Sequence, residues 1–231
     1  MDGNDELIEF STYLASLVHD MKNSVSMLLN TTDEVLTLCT TETCPSYQAL
    51  SKLQYEAKRV NNNLIQLLTL YKMDKAQLTL NIDYRAVSEI IEEAVLYNKP
   101  LLDSKAIHIE VDCPDGFSWF FDRDLIGGVI NNVLNNAFRY ARNAIRISAR
   151  QDERGFLTIQ IEDDGAGYPE QMINLVPNSP MKTSFFTGGT GLGLYFALSV
   201  AKLHKNKDRE GYILIRNAGD QGGGCFSIFL P

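Results

Sequence analysis

His19 and Asp20 stand side by side in a stretch of helical periodicity, with Asn23 one turn further on. An imidazole beside a carboxylate is a competent nucleophile toward a phosphoryl group. The acid can orient or deprotonate the ring, and an amide one turn away can position a water for the reverse hydrolysis. A second set lies more than a hundred residues downstream. Asn132 and Asn136 are four apart on one helix face, while Val133, Leu134 and Ala137 can pack inward. Asparagine is a poor helix former, so the run Asn131-Asn132-Val133-Leu134-Asn135-Asn136 asks for a reason. Amide oxygens suit magnesium, which keeps its waters and takes a few protein oxygens beside substrate phosphates, and Arg139 on the adjacent turn can pair with a phosphate.

Two glycine clusters follow. Asp164-Gly165-Ala166-Gly167 comes at a strand end, where an acceptor-only carboxylate can take a hydrogen bond from a buried amine while the backbone turns closely around a flat ligand. An ordinary Asp-Gly turn reads the same way. Gly188-Gly189-Thr190-Gly191-Leu192-Gly193-Leu194 leads straight into a helix, so its backbone N–H groups and the helix dipole can face phosphate oxygens. No Gly-Lys-Ser/Thr follows, which excludes a P-loop, and the surrounding pattern is not that of a dinucleotide-binding βαβ unit. Taken in order, these elements converge on a nucleoside triphosphate, held by Asp164 at the base, by magnesium through Asn136 and by the glycine-rich loop at the phosphates.

These groups must be positioned by two different kinds of structure. Leu14, Val18, Met21, Val25, Leu28 and Val35 step by threes and fours, as do Leu50, Leu53, Ala57, Val60, Leu64, Leu67 and Tyr71, with a break at 40–46 around Cys44-Pro45. This is an antiparallel helical hairpin, and His19 points away from its seam. One hairpin cannot bury both seams; two copies forming a four-helix bundle can. From Gln77 the period changes. Strands are expected at 77–83, 107–112, 117–121, 145–150, 156–162, 211–216 and 225–230, and helices at 86–97, 125–140 and 194–204, with a weakly patterned stretch over 164–193. The fold class expected is α+β: a helical hairpin over residues 1–75, followed by an α/β sandwich over 76–231 with its helices on one face of the sheet.

The chain of 231 residues has 45% hydrophobic and 22% charged residues and a net charge of −8, which argues against nucleic acid or an anionic membrane as the main partner. No apolar run reaches a membrane span, and the acidic start Met1-Asp2-Gly3-Asn4-Asp5-Glu6 is unlike a signal peptide. Cys39, Cys44, Cys113 and Cys225 form no Cys-x-x-Cys pair and read as free cytosolic thiols.

In order and spacing these motifs resemble the catalytic core of a sensor histidine kinase. That core is a dimerisation and histidine-phosphotransfer hairpin followed by an ATP-binding domain of the gyrase/Hsp90/histidine-kinase/MutL type. His19-Asp20-Met21-Lys22-Asn23 resembles the phosphoacceptor box, Asn132 to Tyr140 the asparagine box, Asp164 to Gly167 the first glycine box, Gly189 to Gly193 the second, and Gly222 to Pro231 the last strand. The resemblance implies that His19 is phosphorylated from Mg2+-ATP with Asp20 as general base, and that Asn23 supports dephosphorylation of the partner. It implies that Asn136 holds the metal, that Asn132, Arg139 and Tyr140 contact the nucleotide, that Asp164 reads the adenine amine, and that Gly165, Gly167, Gly189, Thr190, Gly191, Leu192 and Gly193 line its path. Water-activating relatives carry a glutamate where Asn132 stands; an amide cannot take a proton, which favours transfer to His19 over hydrolysis. The implied partners are a second copy of the chain and a response-regulator receiver domain. The implied location is cytoplasmic, either as a soluble kinase or as the cytosolic part of a longer membrane-bound sensor. The rival reading is a kinase-like phosphotransfer or scaffold protein with an impaired ATP site. Ser24 replaces a proline common in the phosphoacceptor box, Arg139 replaces a common lysine, and 169–188 is short for an ATP lid, with Phe185-Phe186 its candidate aromatics.

Overall fold

The computed structural model describes residues 3–38, 44–173, 191–218 and 223–231. The chain divides into two compact units, Met1–Thr79 and Leu80–Pro231.

The first unit is a pair of helices, α1 (Gly3–Leu38) and α2 (Tyr47–Asp74), packed on each other. Inside α1, Val18, Leu29 and Thr32 are buried and Val25 is half-buried; on α2, Gln54, Ala57 and Gln66 are buried, and the Gln54 amide donates to Asp33 across the pair. The apolar series expected as one seam separates into two stripes. Val18 and Val25 face inward, while Met21 (54% exposed), Leu28 (44%) and Val35 (37%), seven apart, face outward. On α2 the outward stripe is Leu53 (50%), Val60 (43%) and Leu67 (38%), again seven apart. The physical reason is geometric: an a/d pattern spans two adjacent helix positions, and one partner helix covers only one of them. The break lies at 39–46; of it, residues 39–43 lie outside the described residues, and 44–46 form the turn into α2.

The second unit begins with β1 (Ile82–Ala86) and α3 (Val87–Lys105), then β2 (His108–Asp112), β3 (Ser118–Asp122), α4 (Arg123–Tyr140), β4 (Ala144–Gln151) and β5 (Leu157–Asp163). The chain goes on through α5 (Glu170–Ile173), α6 (Leu192–Leu203), the two-residue strands β6 (Lys205–Asn206) and β7 (Arg209–Glu210), β8 (Tyr212–Ala218) and β9 (Gly223–Leu230). β1 and β3 form a separate antiparallel ribbon; the main sheet runs β2-β4-β5-β9-β8, with β2 parallel to β4 and every other pair antiparallel.

Register puts Ile147, Ile161, Phe226 and Ile215 in one row and Ala149, Ile159, Ile228 and Ile213 in the next, all buried. Against them lies α4, which buries Leu125, Ile126, Val129, Ile130, Val133, Leu134, Ala137 and Phe138 at helical spacing. Each fully buried Ile or Leu contributes about 1.5–3 kcal/mol, so this layer is the main source of the unit's stability. α4 is well terminated. The Asp122 carboxylate accepts the Leu125 N–H (3.1 Å) as N-cap, and Lys105 Nζ donates to the Phe138 carbonyl (2.8 Å) at the other end.

Three boundaries differ from the sequence expectation. Residues 77–81 are not strand, and pairing starts at Ile82, opposite Asp122. α3 continues past Pro100 to Lys105, because Val87, Ile90, Ile91, Ala94, Asn98 and Leu102 keep one buried stripe along its whole length. The β6–β7 hairpin was not expected, being too short to show a period and turning at Lys207 with φ +55°.

Candidate nucleotide cleft and phosphoacceptor helix

His19 lies on an exposed face of α1, its side chain 60% accessible. Its Nδ1 has two neighbours: Asn23 Nδ2 at 3.3 Å and Asp20 Oδ1 at 4.0 Å. At position 24 the Ser24 hydroxyl donates back to the Asp20 carbonyl (3.1 Å), and α1 runs unbroken through the point where a proline would disturb that turn. The three predicted residues are therefore gathered within one helical turn, open to a reactant from outside.

In the second unit, a small, partly open cleft is lined by Asn132, Val133, Asn136, Tyr168, Met172, Gly193, Leu194, Ala197 and Phe226. α4 and α6 form two of its walls, and the antiparallel pair meets where Gly193 faces Asn132. A Cβ on residue 193 would strike both ends of the Asn132 amide, so any side chain there would force that amide out of its present position. Gly191 caps α6 with φ +63°, and Leu192 is the first helical residue. Of the four asparagines, Asn131 turns away: its carbonyl oxygen accepts from Asn98 (3.0 Å), tying α4 to α3. Asn132 and Asn136 are the two that line the cleft. Arg139 and Tyr140 are exposed at the end of α4, the guanidinium 5.6 Å from the Tyr140 ring centroid. Gly189 and Thr190 lie outside the described residues, as do Phe185, Phe186 and most of the expected lid.

Asp164, expected to read the adenine amine, has both oxygens on backbone amides. Its Oδ1 accepts from the Arg142 N–H (2.7 Å), and both oxygens accept from the Asn143 N–H (3.1 and 2.9 Å). Burial works upward on this carboxyl, but the amides of Asn143 and Arg142 outweigh it and hold it below the usual carboxylate range. The neighbouring acid, Asp163, is oriented differently. It continues the inward face of β5 after Leu157, Ile159 and Ile161, and accepts from Gly165 N–H (2.8 Å) and Gly224 N–H (3.4 Å). A Cβ on Gly224 would stand 2.7 Å from Asp163 Oδ2 and 3.0 Å from Tyr168 Cε2, so Asp163 adjoins the cleft behind Tyr168. Burial raises the Asp163 carboxyl despite the two amides. Gly165 lets the Tyr140 carbonyl approach: a Cβ there would collide with that oxygen.

Sequence reasoning missed Asp163 by one position, although strand alternation names it, since period two puts 157, 159, 161 and 163 on one face. It also missed Tyr168, whose backbone is gripped by Asn217: Tyr168 N–H donates to Asn217 Oδ1 (2.6 Å) and Asn217 Nδ2 donates to the Tyr168 carbonyl (3.1 Å). Burial pushes the Tyr168 phenol well up, and the Asp163 charge adds to it. Among the described residues no three His, Cys, Asp or Glu side chains gather into a metal cage. The Asn136 amide in the cleft instead fits an ion that draws its remaining ligands from phosphate and water. No helix of the described residues is long and apolar enough to cross a membrane.

Residues 121–231 match the family described as Histidine kinase-, DNA gyrase B-, and HSP90-like ATPase. The chain is 27% identical over 202 residues to the Sensor-like histidine kinase SenX3 of Mycolicibacterium smegmatis, covering 85% of this chain and 52% of that protein. It is 23% identical over 197 residues to the Sensor protein SrrB of Staphylococcus aureus, covering 83% of this chain and 34% of that one. The chain thus spans a third to a half of these relatives. In fold it is similar to the Acinetobacter baumannii histidine kinase AdeS (TM-score 0.58, 21% identity, 92% of this chain and 96% of that one). It is also similar to full-length ShkA in complex with AMPPNP (TM-score 0.64, 16% identity, 95% and 45%). Residues 121–231 thus match the ATPase family's model, and the chain as a whole, a helical hairpin with an accessible histidine followed by that sandwich, is similar to sensor histidine kinases in sequence and in fold.

Proposed function

We propose that this chain is an ATP-dependent protein-histidine kinase of a two-component system. It takes the γ-phosphoryl group of ATP onto His19 and passes it to an aspartate of a response-regulator receiver domain. The observation that carries this reading is the accessible imidazole with a carboxylate and an amide at one nitrogen, in a chain whose other unit has an asparagine- and glycine-walled cleft.

The two neighbours of Nδ1 define two states of the ring. When Asp20 holds a proton on Nδ1, Nε2 carries a bare lone pair and attacks phosphorus; this is how Asp20 acts as the base. When Asn23 donates to Nδ1, the ring proton sits on Nε2 and the nucleophile is at rest. On the phosphorylated partner, the same amide orients a water for dephosphorylation.

In the cleft, Asn132 and Gly193 bring an amide and a backbone N–H to one place, and Arg139 and Tyr140, exposed at the end of α4, are the further nucleotide contacts. Asp163, rather than Asp164, accepts the adenine amine, because Asp164 spends its oxygens on the 142–143 amides while Asp163 lies beside the cleft. Asn136 is the residue that would hold Mg2+, which when bound neutralises and orients the triphosphate oxygens. Asn132 has no basic site with which to activate water, so the phosphoryl group is reserved for the imidazole. The chain works as a homodimer: Met21, Leu28, Val35, Leu53, Val60 and Leu67 form heptad-spaced stripes that a second hairpin covers. It acts in the cytoplasm.

Incubation with γ-labelled ATP and Mg2+ tests the reading. Acid-labile label accumulates on the parent protein and is absent from His19→Gln; equal labelling of the two would overturn it.

A further inference from the structure

α4 and α6 touch along their whole shared length, and the two ends of that contact differ in kind. At one end Gly193 meets the Asn132 amide; midway, a Cβ on Gly128 would stand 3.4 Å from the Phe196 ring; at the other end, the residue capping α4 meets the residue capping α6. The last pair is Asp122 and His204.

His204 is 2% exposed, and both of its ring nitrogens are engaged. Nε2 accepts the Asp122 N–H at 3.0 Å, and Nδ1 lies 2.8 Å from the Val200 carbonyl. A backbone N–H only donates, so Nε2 must present its lone pair and the ring proton must sit on Nδ1, donating to Val200. Burial lowers the imidazole's pKa against the smaller opposing effects of the Val200 carbonyl and the Asp122 charge, which keeps it in this neutral form. The Asp122 carboxylate is committed to other groups: Oδ1 caps α4 through Leu125 N–H (3.1 Å) and Oδ2 accepts the Asn81 N–H (2.8 Å). The imidazole is therefore the cross-link between the end of α6 and the start of α4, and neither of its bonds touches the cleft.

The two helices are rigid rods joined at both ends. From Gly193 to His204 is about 16 Å and from Asn132 to Asp122 about 15 Å at the helical rise, so the arms match to within one residue. An axial slip of one residue, about 1.5 Å, would carry the bare Cα of Gly193 off the Asn132 amide that it now abuts. We propose that His204 is a positioning residue of the nucleotide cleft: its bond to Asp122 sets the register of α6 against α4 and so holds Gly193 on Asn132. This rests on the reading of the cleft as the ATP site.

Two conservative variants of the full chain separate the two bonds of the ring. In His204→Gln an amide oxygen reaches the position of Nε2 and accepts the Asp122 N–H. In His204→Asn the shorter side chain keeps a donor for Val200 and leaves Asp122 without its acceptor. Calorimetric titration with Mg2+-ATP should find the Gln variant within about threefold of the parent and the Asn variant weaker by about tenfold or more. In nucleotide-free protein, the Gly193 amide resonance should stay at the parent position in Gln and move in Asn. Parent-like affinity and an unmoved Gly193 resonance in the Asn variant would overturn the proposal, as would losses in both variants that simply follow their melting temperatures. Failure of the parent itself to bind ATP would overturn the reading of the cleft; the Gly193 resonance then decides the positioning role alone.

Discussion

The two units bury apolar surface in opposite ways. In the sandwich, α4 and the rows Ile147-Ile161-Phe226-Ile215 and Ala149-Ile159-Ile228-Ile213 are closed off from water within one chain. In the hairpin, only part of each helix is covered, and Met21, Leu28, Val35, Leu53, Val60 and Leu67 remain open. The chemistry follows the same division. The unit that completes itself has the cleft groups, with Asn132 pressed on Gly193 and the half-buried Asp163 beside Gly224. The unit left incomplete carries the exposed His19, which on the proposed function is the nucleophile that meets two different reactants, a nucleotide and a protein.

The sharpest way to break this comparison is to damage one unit and ask whether the other notices. Gly193→Val forces a side chain into Asn132, so Mg2+-ATP affinity should fall about a hundredfold or more while the oligomeric state by light scattering is unchanged. Placing charges on the open stripe, as Leu53→Glu with Val60→Glu, should weaken self-association by a similar factor in analytical ultracentrifugation and leave ATP affinity within about threefold. Within the sandwich, Asp163→Asn should cost about tenfold in ATP affinity. Asp164→Asn should leave affinity nearly unchanged and instead lower unfolding free energy by about 1 kcal/mol in urea, through weaker bonds to the 142–143 amides.

The smallest effect concerns pH. Burial holds the His204 imidazole below its ordinary value of 6.5, so between 6.5 and that lowered value the unfolded chain binds a proton that the folded chain refuses. Its contribution is full above about pH 6.5 and is lost as pH falls toward the folded value, at up to about 1.4 kcal/mol per pH unit. Urea unfolding at pH 7.5 and 5.5 should show a larger acid loss in the parent than in His204→Gln, which has no proton to gain.

Much of this was legible in the residues. Helices α4 and α6 and strand β4 follow from period, because each has one buried face, whereas β5 and β9 are buried on both faces and show as short apolar runs. Asn132, Asn136 and Gly193 in the cleft followed from local chemistry, since asparagines in an apolar helix and glycines before another are locally costly choices. What escaped was decided by single positions. The choice between Asp163 and Asp164 turns on which face of β5 the chain presents as it leaves the sheet, and two adjacent acids of the same type look alike until alternation is counted through Ile161. The hairpin's series of threes and fours contains two stripes, and only the second helix shows which one is covered. Tyr168 carries no motif of its own; its place in the cleft depends on Asn217, 49 residues away in sequence.

On the proposed function, the phosphoryl group passes from nucleotide in the cleft to His19 rather than to water. A single-turnover reaction with γ-labelled ATP, resolving label on the His19 peptide from free phosphate, tests it most directly. Label should appear first on the His19 peptide, and His19→Gln should yield neither labelled peptide nor compensating free phosphate. Free phosphate released at the same rate from parent and His19→Gln would contradict it, because the cleft would then be serving water despite the missing base at Asn132.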